Sequence, residues 1–166
     1  MSAIRYAFDF VTHWLSANTR HGTHSPFVYR LLDEVVYIDR IAEVPLPVSF
    51  SSLKLNQVVQ RIIEDHGAQQ PMVYDLADPV AIKPAAAVIV QLSANVKPKQ
   101  ALERLLAASQ PDTLLIIPGI YRNKWVKKVW DTVKGYPNVT VSIDFFHFGL
   151  LYFHKGQAKE NFKIRV

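Results

Sequence analysis

Two histidines near the start of the chain have residue types and a spacing that could support metal chemistry. His21 and His24 lie three residues apart in HGTHSPF, and imidazoles at that spacing on one helix face can share a metal ion. Gly22 interrupts the stretch, however, and no carboxylate lies nearby to complete a ligand set. We therefore interpret the pair as a structural element that precedes a helix capped by Ser25, and the sequence predicts no metal site.

A third histidine, His147, lies between two phenylalanines in DFFHFG. A general base needs a substrate pocket and a positioned partner, and the residues around His147 indicate neither. The surrounding pattern is typical of a strand whose histidine faces the less buried side of a sheet. We expect no catalytic residue here.

Asp75 ends an apolar run in YDLADPVAIKP, residues 74–84. An acidic residue after a buried strand is typical of the edge at which open α/β sheets bind nucleotides. The turn that follows contains no glycine, although glycine is the residue that lets a backbone approach a cofactor closely. The stretch is either a damaged binding loop or a turn that never bound a cofactor.

Basic residues are concentrated in the last quarter of the chain. Residues 1–121 hold ten Lys or Arg against eleven Asp or Glu, whereas residues 122–166 hold nine against three, which accounts for the net charge of +5. Nucleic-acid binding is therefore one hypothesis, although solvated lysines on a helix surface are the commoner explanation. The possible basic surface on one predicted helix consists of Lys124, Lys127, Lys128 and Lys134.

The composition indicates a globular domain. Of the 166 residues, 49% are hydrophobic and 20% are charged, and there is no cysteine, which excludes disulfides, thiolate zinc sites and a cysteine nucleophile. The chain contains no apolar run of the ~18 residues that a membrane span needs. The first residues also lack the pattern of a signal peptide. We expect a cytoplasmic protein.

The secondary structure predicted to position these residues is helical in the first 65 residues and combines strands and helices after them. The periodicity predicts helices over 3–16, after Pro26, and over 52–65. In the first helix one side carries Ile4, Phe8, Val11 and Leu15. Because Tyr6, Phe10 and Trp14 widen the apolar surface, we expect this helix to pack on more than one element.

Short apolar runs then indicate strands buried on both faces, with two helices between and after them. The strands are MVYDLA, AAVIVQL and TLLIIP, and the helices lie at about 98–109 and 122–134. The long run VTVSIDFFHFGLLYF, residues 139–153, must turn back near 146–149. The pattern predicts an α/β fold with a largely parallel sheet that ends in an antiparallel hairpin.

Two stretches, 21–37 and 116–166, resemble the class I S-adenosylmethionine-dependent methyltransferases, and more narrowly a bacterial group that opens with an HxxHSPF element. The resemblance implies one domain over 1–166, with an N-terminal helical extension at 1–43 and a methyltransferase-like core at 52–166. It implies a truncated Rossmann-like sheet of about five strands in the order 1-4-5-7-6, with the last hairpin antiparallel and with strands 2 and 3 missing.

The resemblance also implies that the cofactor site has degenerated. The family's acidic-x-Gly-x-Gly pattern falls on 75–79, where Asp75 keeps the acid but Ala77 and Pro79 replace both glycines. The end of strand 4 keeps only Asn95 of the family's Asp-Gly-Asn-His. The end of strand 5 reads Pro118 and Gly119 where relatives often carry two aspartates.

We therefore expect a non-catalytic methyltransferase-like protein that lacks the cofactor-binding half, binds no cofactor and acts through protein–protein contacts. Without strand 2, strand 1 becomes a sheet edge that something must cover. A homo-oligomer or a protein partner is therefore expected, through the edge from Met72 to Ala77 or through the N-terminal helices. The alternatives are an S-adenosylmethionine-dependent methyltransferase with an unconventional or partner-completed site, and a nucleic-acid-binding module.

Overall fold

The computed structural model describes residues 3–19, 22–76, 87–92 and 99–166. Within them the fold is mixed α/β, with five α-helices and one mixed β-sheet. The expected α/β class is confirmed.

The sheet has the strand order β1-β2-β3-β5-β4-β6. β1, β2 and β3 run parallel, β5 is antiparallel to both β3 and β4, and β6 is parallel to β4. The expected order 1-4-5-7-6, in which the numbers are those of the family's strands, corresponds to β1-β2-β3-β5-β4 of this sheet. The order of these five strands and the antiparallel hairpin are therefore confirmed, and β1 lies at one edge of the described sheet. The strands are β1 Met72–Asp75, β2 Ala87–Gln91, β3 Leu114–Pro118, β4 Val141–Asp144, β5 Phe148–Tyr152 and β6 Glu160–Lys163.

The described sheet has one strand more than the five expected. β6 lies at the edge opposite β1, and its residues alternate between partly buried and exposed. Of its four residues only Phe162 is apolar, so no hydrophobic pattern predicts a strand here. A single bridge from Asn18 to Ile164 continues this edge, so the segment after α1 joins the sheet.

The helices begin and end within one or two residues of the predicted positions. Ser52 and Asn123 cap α3 and α5, because their side chains accept hydrogen bonds from the amides of Leu55 (3.2 Å) and Val126 (2.9 Å). Ser25 stands at the N-cap of α2, but its side chain makes no capping hydrogen bond, which corrects the expectation. The helices are α1 Ala3–Ser16, α2 Pro26–Leu31, α3 Leu53–Asp65, α4 Lys99–Ala108 and α5 Lys124–Val133.

A π-helical turn, Leu32–Val36, continues α2. The carbonyls at its end are bonded by the guanidinium of Arg61, which lies in α3 and is only 5% exposed. Arg61 donates to the oxygens of Val35 (2.8 Å), Val36 (3.1 Å) and Arg40 (2.8 Å). One buried cation therefore joins this turn to α3 and replaces the hydrogen bonds that the end of a helix lacks.

The hydrophobic core lies on both faces of the sheet. α2, its π-helical turn and α3 pack on the face that carries Ala87 and Ile89, whereas α4 and α5 pack on the face of Val88 and Val90. This three-layer arrangement explains why the central strands are apolar at every position.

The packing of α1 differs from the expectation. Ile4, Phe8, Val11 and Leu15 are 82%, 70%, 53% and 71% exposed, and the buried residue of the helix is His13. The helix contacts the body of the protein through Tyr6 and His13 on its opposite side. We call the four exposed residues the α1 seam. Hydrophobic periodicity identified the apolar side of α1 correctly. It does not show whether that side or the opposite side of the helix packs on the rest of the chain.

Candidate functional site

The strongest candidate site is a cavity at the carboxyl end of β3. Because β1, β2 and β3 are parallel, their carboxyl ends meet at one edge of the sheet, which is where open α/β sheets bind ligands. The cavity measures about 310 Å³. It is lined by Tyr6, Ser49, Phe50, Ser51, Pro118, Gly119, Arg122 and His147.

The turn that follows β3 lines part of the cavity. Gly119 has a φ of 65°, a left-handed conformation that glycine adopts without strain. Its amide donates to the carbonyl of His147 (2.7 Å), and its own carbonyl accepts from the amide of Arg122 (2.7 Å). The turn therefore ties the end of β3 to the β4–β5 connection.

Arg122 joins the ends of two neighbouring strands. Its guanidinium Nη2 donates to the carbonyl of Leu92, just after β2, at 3.0 Å. The side chain also lies close to Gly119, where an added Cβ would be 3.4 Å from the Cβ of Arg122. Arg122 therefore lines the cavity while its guanidinium lies at the end of β2, and it brings a positive charge to this edge of the sheet.

His147 lies in the turn between β4 and β5 and not on a strand, which corrects the expectation of a strand histidine. Burial lowers the pKa of His147, and the charge of His13 lowers it further. Its Nδ1 lies 3.5 Å from the hydroxyl of Tyr6, whose pKa burial raises. The cavity therefore presents an imidazole that is uncharged at neutral pH and a hydroxyl that keeps its proton.

A buried carboxylate near the hairpin turn joins α1, α5 and the hairpin. Asp144 is 2% exposed. Its Oδ1 lies 3.0 Å from His13 Nε2 and accepts from the Phe146 amide (2.9 Å). Its Oδ2 accepts from the Tyr121 hydroxyl (2.9 Å) and from Trp130 Nε1 (3.3 Å). All of these contacts lie inside the protein, so we assign Asp144 a structural role.

The ionisation of this cluster follows from its burial. Burial alone would raise the pKa of Asp144, but the hydrogen bond and charge of His13, with the Phe146 amide and the Tyr121 hydroxyl, outweigh that effect and lower the pKa. Burial, followed by the charge and hydrogen bond of Asp144, raises the pKa of Tyr121. The carboxylate therefore stays ionised and the phenol stays protonated at neutral pH.

The side chains that line the cavity can bind a ligand in a few ways. Arg122 can pair with an anion, the hydroxyls of Ser49 and Ser51 can donate or accept hydrogen bonds, and the neutral His147 can accept a proton. These groups suit a small polar ligand. Pro118 and Gly119 were the residues of this site singled out by their position in the sequence. Tyr6 was missed as a site residue and His147 was set aside for want of a pocket and a partner, because only folding brings the first helix to the hairpin turn.

The other positions singled out in the sequence divide into described and undescribed residues. Asp75 is the last residue of β1, where it pairs in register with Gln91. Ala77, Pro79, Asn95 and His21 lie outside the described residues. His24 is exposed before α2, and the described part of the chain contains no group of three His, Asp or Glu placed to hold a metal ion.

The four lysines of the possible basic surface have different surroundings. Lys127 and Lys134 both pair with Asp131, and each ammonium also lies over an aromatic ring. Lys124 and Lys128 are exposed. Two of the four lysines predicted to form the basic surface are therefore paired with a carboxylate of the same helix.

Comparisons with protein-family models, with curated proteins and with solved structures find no match for this chain. Among the helices that the structure describes, none is long and apolar enough to cross a membrane.

Proposed function

We propose that this chain is a non-catalytic protein with a shortened, methyltransferase-like sheet, and that it acts through protein–protein contacts. The α1 seam carries the proposal, because four apolar side chains, each between 53% and 82% exposed, lie along one side of a single helix. Scattered exposed apolar residues are ordinary, whereas a contiguous apolar strip marks an interaction site.

The sheet supports the methyltransferase-like part of the proposal. Its first five strands have the order that resembles the class I methyltransferase sheet without strands 2 and 3, and an antiparallel strand, β5, lies between β3 and β4. In that family strand 2 ends in the acid that binds the ribose of the cofactor. In this sheet β1 is the edge strand, and within the described residues no strand lies beside it on the side away from β2. The described residues therefore contain no strand in the position of the family's strand 2.

The carboxyl end of β3 supports the non-catalytic part. Where relatives often carry two aspartates, Pro118 ends β3 and Gly119 begins a tight turn, in which the amide of Gly119 donates to the His147 carbonyl and its carbonyl accepts from the Arg122 amide. A turn that satisfies its own hydrogen bonds serves the fold without any ligand.

A second candidate is an S-adenosylmethionine-dependent methyltransferase whose site is completed by a partner. The cavity favours this reading, because a neutral His147 and a cationic Arg122 face one space of about 310 Å³ at the ligand-binding edge of the sheet. A neutral imidazole in such a place could accept a proton from a substrate.

Calorimetric titration with S-adenosylmethionine and S-adenosylhomocysteine separates the two candidates. The first predicts no binding heat from either ligand at millimolar concentration. Binding of micromolar strength would reject it. If that binding then disappeared in His147→Ala and persisted in His24→Ala, an exposed histidine away from the cavity, the second candidate would be supported.

A further inference from the structure

We infer that α1 binds α1 of a second copy of this chain, antiparallel, through the α1 seam. The inference rests on the proposed function, which requires a contact surface, and it names the partner. Four observations carry it: the spacing of the seam, the way α1 is fixed, the charge of the seam and its area.

The spacing of the seam is that of a two-helix interface. Ile4, Phe8, Val11 and Leu15 are separated by four, three and four residues, which is the heptad pattern that keeps one stripe of a helix facing another helix. Tyr6 and His13, which contact the body of the protein, lie about half a turn away from the stripe. α1 can therefore contact its own sheet and a second helix at the same time.

α1 is held in place before any partner binds. Near its start, Arg5 donates to the carbonyl of Tyr121 (3.1 Å), and farther along His13 pairs with Asp144. Near its end, the guanidinium of Arg165 lies 4.9 Å from the centre of the Trp14 ring. A surface that is already ordered loses little further conformational entropy on association.

The seam itself carries no charge. The two charged side chains of α1, Arg5 and Asp9, pair with each other at 2.7 Å and lie off the seam. Two copies of the seam can therefore approach without like-charge repulsion, although each chain carries a net charge of +5. An uncharged, self-complementary stripe suits a two-fold symmetric pair, the commonest kind of oligomer.

The side-chain sizes and the helix dipoles favour the antiparallel direction. Antiparallel pairing sets Phe8 against the smaller Val11 of the second copy, and Ile4 against Leu15. Parallel pairing would set Phe8 against Phe8 and leave a gap at Val11. It would also bring two positive helix N-termini together, whereas the antiparallel pair aligns opposite ends of the two dipoles.

The area of the seam is consistent with a weak dimer. At roughly 125 Å² of apolar surface for each exposed side chain, the four residues of the seam present about 500 Å² per copy. Two copies would bury about 1,000 Å², which is near the lower limit for a specific interface. We therefore expect an equilibrium between monomer and dimer that depends on concentration in the micromolar range.

Sedimentation equilibrium of the full chain across micromolar concentrations tests the association. The wild type is expected to approach twice the monomer mass, and Phe8→Glu is expected to stay monomeric with an unchanged circular dichroism spectrum, since Phe8 is exposed. Leu53→Glu is the matched control: Leu53 is a helical leucine that is 84% exposed and lies off the seam, and its variant is expected to dimerise like the wild type. A wild type that is monomeric throughout, or a dimer that survives Phe8→Glu, overturns the inference.

Cross-linking tests the direction, because the chain has no cysteine of its own. A mixture of Ile4→Cys and Leu15→Cys chains is expected to form the mixed disulfide, and Ile4→Cys alone is expected to form none, since antiparallel pairing separates the two copies of residue 4 by about 16 Å along the helix axis. A disulfide between two Ile4→Cys chains would overturn the antiparallel arrangement. Failure of these tests leaves the calorimetric titration unaffected, so the two proposals can fail separately.

Discussion

Asp144→Asn changes one atom in the buried cluster and should destabilise the protein strongly. In the wild type both carboxylate oxygens accept hydrogen bonds, Oδ1 from the Phe146 amide and Oδ2 from Tyr121 and Trp130. His13 Nε2 lies 3.0 Å from Oδ1 and 3.1 Å from the backbone carbonyl of Asp144. An asparagine offers one acceptor oxygen and one NH₂ group. Its NH₂ group must therefore point at the former donors of one of these oxygens.

The magnitude follows from what each orientation of the asparagine leaves unpaired. If NH₂ replaces Oδ2, the Tyr121 hydroxyl can rotate to accept, but the N–H of Trp130 cannot. If NH₂ replaces Oδ1, the Phe146 amide loses its acceptor. A buried unpaired donor costs about 1–3 kcal/mol, and the loss of a hydrogen bond to a charged group costs about 1.5–3 kcal/mol. We expect the free energy of unfolding to fall by about 3–5 kcal/mol, the sum of these two costs.

Urea denaturation followed by circular dichroism measures this loss. With a denaturant slope of about 2 kcal/mol/M, the midpoint should fall by about 2 M. Asp131→Asn is the matched control, because Asp131 also has a lowered pKa through Lys127 and Lys134 but its side chain is 46% exposed. Its variant should lose less than about 1 kcal/mol. A loss below about 1 kcal/mol for Asp144→Asn would refute the role given to the cluster.

The lowered pKa of Asp144 adds a pH signature to the same experiment. A carboxyl group whose pKa is lower in the folded protein stabilises it above the unfolded pKa, and this stability is lost as the pH falls through the folded pKa. The wild type should therefore lose stability in acid, and Asp144→Asn should lose less over the same pH range. Equal acid sensitivity in both proteins would contradict the assigned ionisation.

Three further predictions concern single side chains. Gly149→Ala should destabilise by about 1–3 kcal/mol, because an added Cβ would lie 2.5 Å from the ring of Trp130, and an unchanged melting temperature would contradict this packing. Arg61→Lys should lower the free energy of unfolding by about 2 kcal/mol, since an ammonium cannot reproduce the fork that bonds three carbonyls; a urea midpoint equal to that of the wild type would count against it. The His147 imidazole should titrate in NMR spectra below the ordinary histidine pKa, because burial disfavours its charged form, and a midpoint at or above that value would rule out the neutral imidazole.

Most of the sheet could be predicted because its strands carry their own signal. The central strands are apolar at every position, and the run 139–153 is too long to be one strand, so the hairpin followed from length alone. β6 was missed for the opposite reason. Glu160–Lys163 is mostly polar, and it becomes a strand only because β4 provides an edge to pair with.

The site was harder to predict because it depends on contacts between distant parts of the chain. Tyr6 and His147 are far apart in sequence, and nothing local to either indicates the cavity that they share. The exposed side of α1 was misjudged because an apolar stripe does not reveal what covers it. His13, the buried residue of that helix, is polar, and its burial depends on the carboxylate of Asp144.

Thermal unfolding with and without S-adenosylmethionine tests most directly whether this chain works through contacts or through a bound cofactor. A ligand present at 100 times its dissociation constant stabilises the folded state by about 2.7 kcal/mol, which for a chain of this size raises the melting temperature by about 5–10 °C. For a non-catalytic contact protein, the melting temperature should stay the same at millimolar S-adenosylmethionine. A rise of several degrees would contradict the proposed function.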